Sequence, residues 1–89
     1  MRTQYFSFGQ IYITPIVNEY LSVDEVIHLL LCHGQLKAGE LGEDDQKANR
    51  DALKYGGRIF SCYSVNGMNY FVITESDRSM TTILRADEY

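Results

Sequence analysis

Apolar runs broken by turn-forming residues organise this chain, and the last third is the most clearly punctuated. Arg58 to Val65 is one run rich in β-branched and aromatic residues. Asn66-Gly67 follows and predicts a two-residue hairpin, because a type I′ turn needs positive φ at both central residues. Met68 to Thr74 is the return strand. Glu75 to Ser79 is polar and turn-forming, and Met80 to Leu84 is a third run. Together they predict a three-stranded antiparallel meander.

Upstream the pattern becomes helical. Phe6, Phe8, Ile11 and Ile13 predict a strand of about four to seven residues within 5–14, interrupted at Gly9. Thr14-Pro15 reads as N-cap and first helical position, starting a short helical stretch over 16–21. Ser22 and Glu25 form a capping box that opens a longer helix. Val23, Val26, Ile27, Leu30 and Leu31 would be its buried face, with Gly34 as a left-handed C-cap. A loop over 35–42 leads to a further helix over about 43–55. Its first turn holds Glu43, Asp44 and Asp45, and its later part Lys47, Arg50 and Lys54, which complements the helix dipole. The apolar face of that helix is thin: Ala48, Ala52, Leu53 and Tyr55. It should therefore pack at an edge. Gly56-Gly57 ends it.

The element order β-α-α-β-β-β, with a short helical turn after the first strand, predicts one α+β domain over 1–89. Its antiparallel sheet would be covered on one face by two helices. Eighty-nine residues allow a single modest core. The 12 acidic and 8 basic residues leave a net charge of −4, and the bases are scattered rather than clustered. That distribution argues against direct binding to nucleic acid, which needs a concentrated basic surface. Two cysteines, Cys32 and Cys62, make no disulfide framework and suit a reducing compartment. No apolar run is long enough to span a bilayer. The expectation is a cytoplasmic protein without a membrane partner.

Five constellations bear on chemistry. Asp24, His28 and Cys32 share a helix face, but no second ligand pair accompanies them, so neither a metal nor another cofactor is expected. Cys32 and Cys62 lack a nucleophile turn, and only His28 is placed as a base for Cys32, so a thiol enzyme is not expected. Glu75, Asp77 and Arg78, with Ser76 and Ser79, form the densest polar set. They could grip a ligand or do acid–base work, although such a loop more often closes on its own backbone. Glu40, Glu43, Asp44 and Asp45 lack calcium-loop spacing, and helix N-terminal placement accounts for most of them. Tyr63 and Tyr70 read as cross-strand partners rather than a base-stacking platform.

Several segments resemble a group of small bacterial proteins carried on plasmids, phages and integrated elements. They are Ile13-Thr14-Pro15, Asp44-Asp45 with Ala48-Asn49 and Ala52-Leu53, and Gly57-Arg58-Ile59 with Ser61 and Tyr63. The most specific block is Ile73 to Leu84, of the form ITExDRSxTTIL, followed by Asp87-Glu88-Tyr89. Members are described as plasmid-related, and some carry a label as a restriction–modification subunit. The chain departs from the group in two places. Gly34 to Leu41 replaces a Gly-Asp-Trp-Gly element, and Arg85-Ala86 replaces a proline. A methyltransferase role does not fit, since the chain is too short for a doubly wound cofactor-binding sheet and has no GxGxxG.

The resemblance implies a non-enzymatic protein–protein interaction module of a mobile genetic element, acting on a host defence or replication component. Glu43, Asp44, Asp45, Glu75, Asp77 and Arg78 are the candidate partner-binding residues. A homodimer is compatible with this reading. Two alternatives stay open: a nucleic-acid-binding regulator, and a small enzyme using the Glu75–Arg78 loop.

Overall fold

The computed structural model describes residues 4–37, 39 and 41–89. The elements run β1 (Gln10–Ile13), α1 (Pro15–Tyr20), α2 (Val23–Gly34), α3 (Glu43–Tyr55), β2 (Ile59–Val65), β3 (Met68–Thr74) and β4 (Met80–Arg85), with a 3₁₀ turn over Ala86–Glu88. The fold is α+β, as the sequence pattern predicts.

The C-terminal meander forms as expected. Val65 pairs with Met68 across the hairpin, and Asn66 and Gly67 take φ of 51° and 82°. β4 then pairs antiparallel with β3. The sheet order is β1-β4-β3-β2, and β1 runs parallel to β4. The sheet is therefore mixed rather than wholly antiparallel. Short turns force antiparallel pairing only within the meander. The connection from β1 contains three helices, and a crossover of that length permits a parallel neighbour. β1, four residues long, lies within the span 5–14 as expected, after Gly9. Residues 5–9 run instead beside α2, with the Tyr5 amide donating to the Gly34 carbonyl at 3.0 Å.

Both predicted N-caps are present. The Thr14 hydroxyl accepts from the Val17 amide, and Pro15 is the first helical residue. Ser22 accepts from the Glu25 amide at 3.1 Å, while Glu25 accepts from the Ser22 amide at 2.8 Å. α1 and α2 cover one sheet face. Val17, Leu21, Val26 and Leu29 meet Tyr63, Tyr70, Val72 and Ile83 there. α3 flanks the β2 edge, where Phe6, Ala52 and Ile59 form a second cluster. On the opposite sheet face the rings of Phe60 and Phe71 lie 4.7 Å apart, and Tyr89 closes on both edge-to-face.

Three side-chain assignments differ from the sequence expectation. In α2 the buried residues are Val26, Leu29, His33 and Gly34, whereas Val23, Ile27 and Leu31 are exposed. Leu29 and Leu31 are about 200° apart around a helix axis, so one partner surface cannot cover the whole apolar arc. Gly34 is the last helical residue rather than a left-handed cap, and Leu36 takes the positive φ of 58°. A Cβ on Gly34 would lie 3.0 Å from the Phe8 ring, so the glycine allows a close approach. In α3, Ala48 and Tyr55 face solvent while Asn49 and Ala52 are buried. Asn49 closes the β2 edge. Its amide donates to the Phe60 carbonyl at 2.6 Å, and its oxygen accepts from the Phe60 amide at 2.9 Å.

Candidate functional site

The densest polar chemistry lies inside the fold, in a chain that the sequence reading missed. His33 is fully buried on the inner face of α2. Its Nδ1 is 2.7 Å from the Ser61 hydroxyl, and its Nε2 is 2.9 Å from that of Thr74. Thr74 lies 2.7 Å from Thr81, and Thr81 donates to the Phe8 carbonyl at 2.8 Å. One donor per hydroxyl orders the whole chain. Thr81 uses its proton on Phe8, so Thr74 must donate to Thr81. His33 Nε2–H then donates to Thr74, and Ser61 donates to the bare Nδ1. In the neutral ring this is the Nε2–H tautomer. Burial pulls its pKa from 6.5 down to about 4. Ser61 and His33 resemble a nucleophile–base pair in spacing, but both are 0% exposed. No substrate reaches them in this conformation. Serine and threonine at inward positions of β2, β3 and β4, opposite a histidine seven residues after Val26, are the sequence signal for such a chain.

The 75–79 turn is the second polar concentration, and it too closes on the protein. Arg78 takes φ of 60° and turns its guanidinium inward. It donates to the carbonyls of Gly57, Ala52, Glu75 and Ser76 at 2.6 to 3.3 Å, and lies over the Phe6 ring. A single side chain thus ties the end of α3, the Gly57 entry to β2 and its own turn together. Glu75 pairs with Arg58 at 3.4 Å. Asp77 accepts from the Ser79 hydroxyl at 2.5 Å and from the Ser79 amide at 3.0 Å. Those two bonds hold the Asp77 carboxyl below the usual carboxylate range. Asp77 is the most solvent-facing of the three candidate residues here.

Glu43, Asp44 and Asp45 are all exposed in the first turn of α3. Glu40 and Arg2 lie outside the described residues. A shallow cleft of about 310 Å³ is lined by Glu43, Asp44, Gln46, Lys47 and Arg50. All five come from one helix, and the charges are of both signs. Arg78 binds the opposite end of α3, so the acidic turn and the 75–79 turn are separated by about 10 Å of helix or more.

Four of the described bases are engaged within the fold. Arg78 is half-buried and bonded to backbone carbonyls, Arg58 pairs with Glu75, and Lys47 pairs with Asp51 at 3.0 Å. Arg85 binds Asp87 at 2.7 Å and lies over the Tyr20 ring. His28 Nε2 lies 3.7 Å from Cys32 Sγ on α2. Among the described residues, no group of three or more His, Cys, Asp or Glu is placed to hold a metal ion. Tyr63 and Tyr70 do pair across strands. The Tyr63 hydroxyl donates to the Lys37 carbonyl, and burial pushes its pKa up to about 12.

Eleven large apolar side chains are exposed among the described residues, Tyr55, Tyr89, Tyr20 and Tyr12 included, and three fall on one helix. Val23 is 74% exposed, Ile27 48% and Leu31 38%, aligned along the outer side of α2. No helix among the described residues is long and apolar enough to cross a membrane. The chain matches no protein-family model, no curated protein and no solved structure.

Proposed function

We propose that the protein is a non-enzymatic interaction module of a bacterial mobile genetic element, and that it acts in the cytoplasm by occupying a surface of another protein. One observation carries this reading. The polar groups best suited to chemistry bond to one another or to backbone, while α2 presents three aligned aliphatic side chains to solvent. Exposed apolar surface rimmed by polar groups is the usual mark of a protein contact. The acidic start of α3 adds a negative field that would speed association with a basic partner and weaken with salt. The resemblance to plasmid- and phage-borne proteins supports a host defence or replication component as the target.

The test is affinity capture with the tagged chain from a host cell, followed by titration of the purified partner. Glu43→Lys with Asp45→Lys should slow association without unfolding the protein, because both side chains are exposed. Asp77→Ala with Arg78→Ala is a poorer probe, since Arg78 holds α3 and β2 together. Saturable binding to duplex DNA at physiological salt, with no protein partner found, would replace this reading by the nucleic-acid one.

A further inference from the structure

We infer that the Val23/Ile27/Leu31 face of α2 is a docking site for a basic amphipathic helix of a partner protein; this rests on the interaction-module reading and names the surface and the partner's chemistry. Val23, Ile27 and Leu31 recur every four residues, so they form a stripe about 12 Å long. That is the reach of two turns of a partner helix, read as apolar anchors at i, i+3 or i+4, and i+7. The stripe is continuous with the core side of α2 through half-buried Leu30, which packs on the inner cluster. A partner helix laid there would extend an existing apolar layer rather than create a new one.

Charge selects the occupant. From Pro15 to Leu36 the chain has no Lys or Arg, and it carries Glu19, Asp24 and Glu25. Glu25 is engaged as a cap, whereas Glu19 and Asp24 are exposed. Asp24 borders the stripe three residues from Ile27. Lys37, the nearest base in sequence, follows the helix with its amide on the Cys32 carbonyl at 2.9 Å, so the base lies at the Leu31 end of the stripe and Asp24 at the Val23 end. Lysine or arginine beside the anchors that meet Val23 and Ile27 would meet Asp24. A second copy of this chain would bring the same acids face to face and add two net charges of −4. A basic partner is therefore favoured over a homodimer through this face.

The test uses the whole chain and two model peptides of about twenty residues, both helical with one leucine face. One peptide is flanked by lysines and the other by glutamates. The lysine peptide should bind, shift the amide and methyl resonances of Val23, Ile27 and Leu31, and bind more weakly as salt rises. The glutamate peptide should bind at least ten-fold more weakly. Ile27→Ser with Leu31→Ser leaves the charge unchanged and should cost the lysine peptide ten-fold or more in affinity, while Glu43→Lys with Asp45→Lys should cost less. Binding that survives the double serine variant would overturn the proposal, because charge alone would then hold the peptide elsewhere. A dimer that Ile27→Lys dissociates would overturn it in favour of a second copy. A captured host partner that binds the serine variant as tightly as wild type would sink this site and leave the interaction-module reading standing. Absence of any host partner and of peptide binding would remove both.

Discussion

The inner and outer faces of α2 carry much the same kind of side chain and meet opposite surroundings. Inside, Val26 and Leu29 are closed over by the sheet, and His33 lies among hydroxyls from three strands. Outside, Val23, Ile27 and Leu31 face solvent with Asp24 beside them. The helix is held in register by its cap and its inner face alone. Its outer aliphatics contribute little to folding, so their chemistry is free to serve contact with another molecule. Substitutions on the two faces should therefore separate stability from binding.

The largest stability effect is expected from Leu29→Ala. Leu29 is 2% exposed at the centre of the inner face. Truncation removes its transfer free energy and leaves a cavity, costing about 2–5 kcal/mol. Urea denaturation with an unchanged slope and a lower midpoint would measure this. A cost below about 1 kcal/mol would mean that α2 is less firmly seated than its burial indicates.

The buried histidine gives the next effect, read through pH. His33 is pulled from 6.5 to about 4 in the folded chain, so the unfolded chain takes up the proton first as pH falls. Stability from this group is complete above about pH 6.5 and is lost progressively toward pH 4, by roughly 3 kcal/mol in total. Protonation also gives Nδ1 a hydrogen where it accepts from Ser61, which reverses that bond. Denaturation midpoints from pH 7 to 4 should fall in this window, and a His33→Gln variant should show a flatter slope. Parallel slopes for the two proteins would assign the acid sensitivity to other groups.

Ser22→Ala comes third, since it leaves the Glu25 amide of the capping box unpaired. The expected loss is about 0.5–2 kcal/mol, measured by thermal melting. A smaller loss would show that Glu25 and solvent suffice at this helix start.

These elements also mark what was legible in the sequence. Caps and tight turns are local: Ser22 with Glu25, Thr14 with Pro15 and Asn66 with Gly67 each place an element end within four residues, and all three are present. The side of α2 that packs was not legible, because an apolar arc of about 200° has no unique centre. The His33 chain was not legible as a site either, because its partners lie 28 and 41 residues away. Arg78 looked like a surface group among acids, and only the positions of Ala52 and Gly57 reveal it as a backbone clamp. The parallel pairing of β1 depends on the path of three helices, which periodicity does not specify. Of the candidate partner-binding residues, Glu43, Asp44 and Asp45 are presented to solvent, whereas Glu75 and Arg78 are engaged within the fold.

Ile27→Lys on the outer face should have the smallest effect on stability. Ile27 is 48% exposed, so little of its surface returns to water. Lysine is at least as good a helix former as isoleucine, its stem still covers the neighbouring turn, and its ammonium comes within reach of Asp24 three residues earlier. The predicted change is within about 0.5 kcal/mol, against several for Leu29→Ala two residues away. Urea denaturation of both variants at one protein concentration tests the contrast directly. Should Ile27→Lys cost as much as Leu29→Ala, the outer face must be covered in solution. Repeating the melts over a range of protein concentration would then identify the cover. A midpoint that rises with concentration in wild type, but not in the variant, would mean that copies of the chain bury this face against each other.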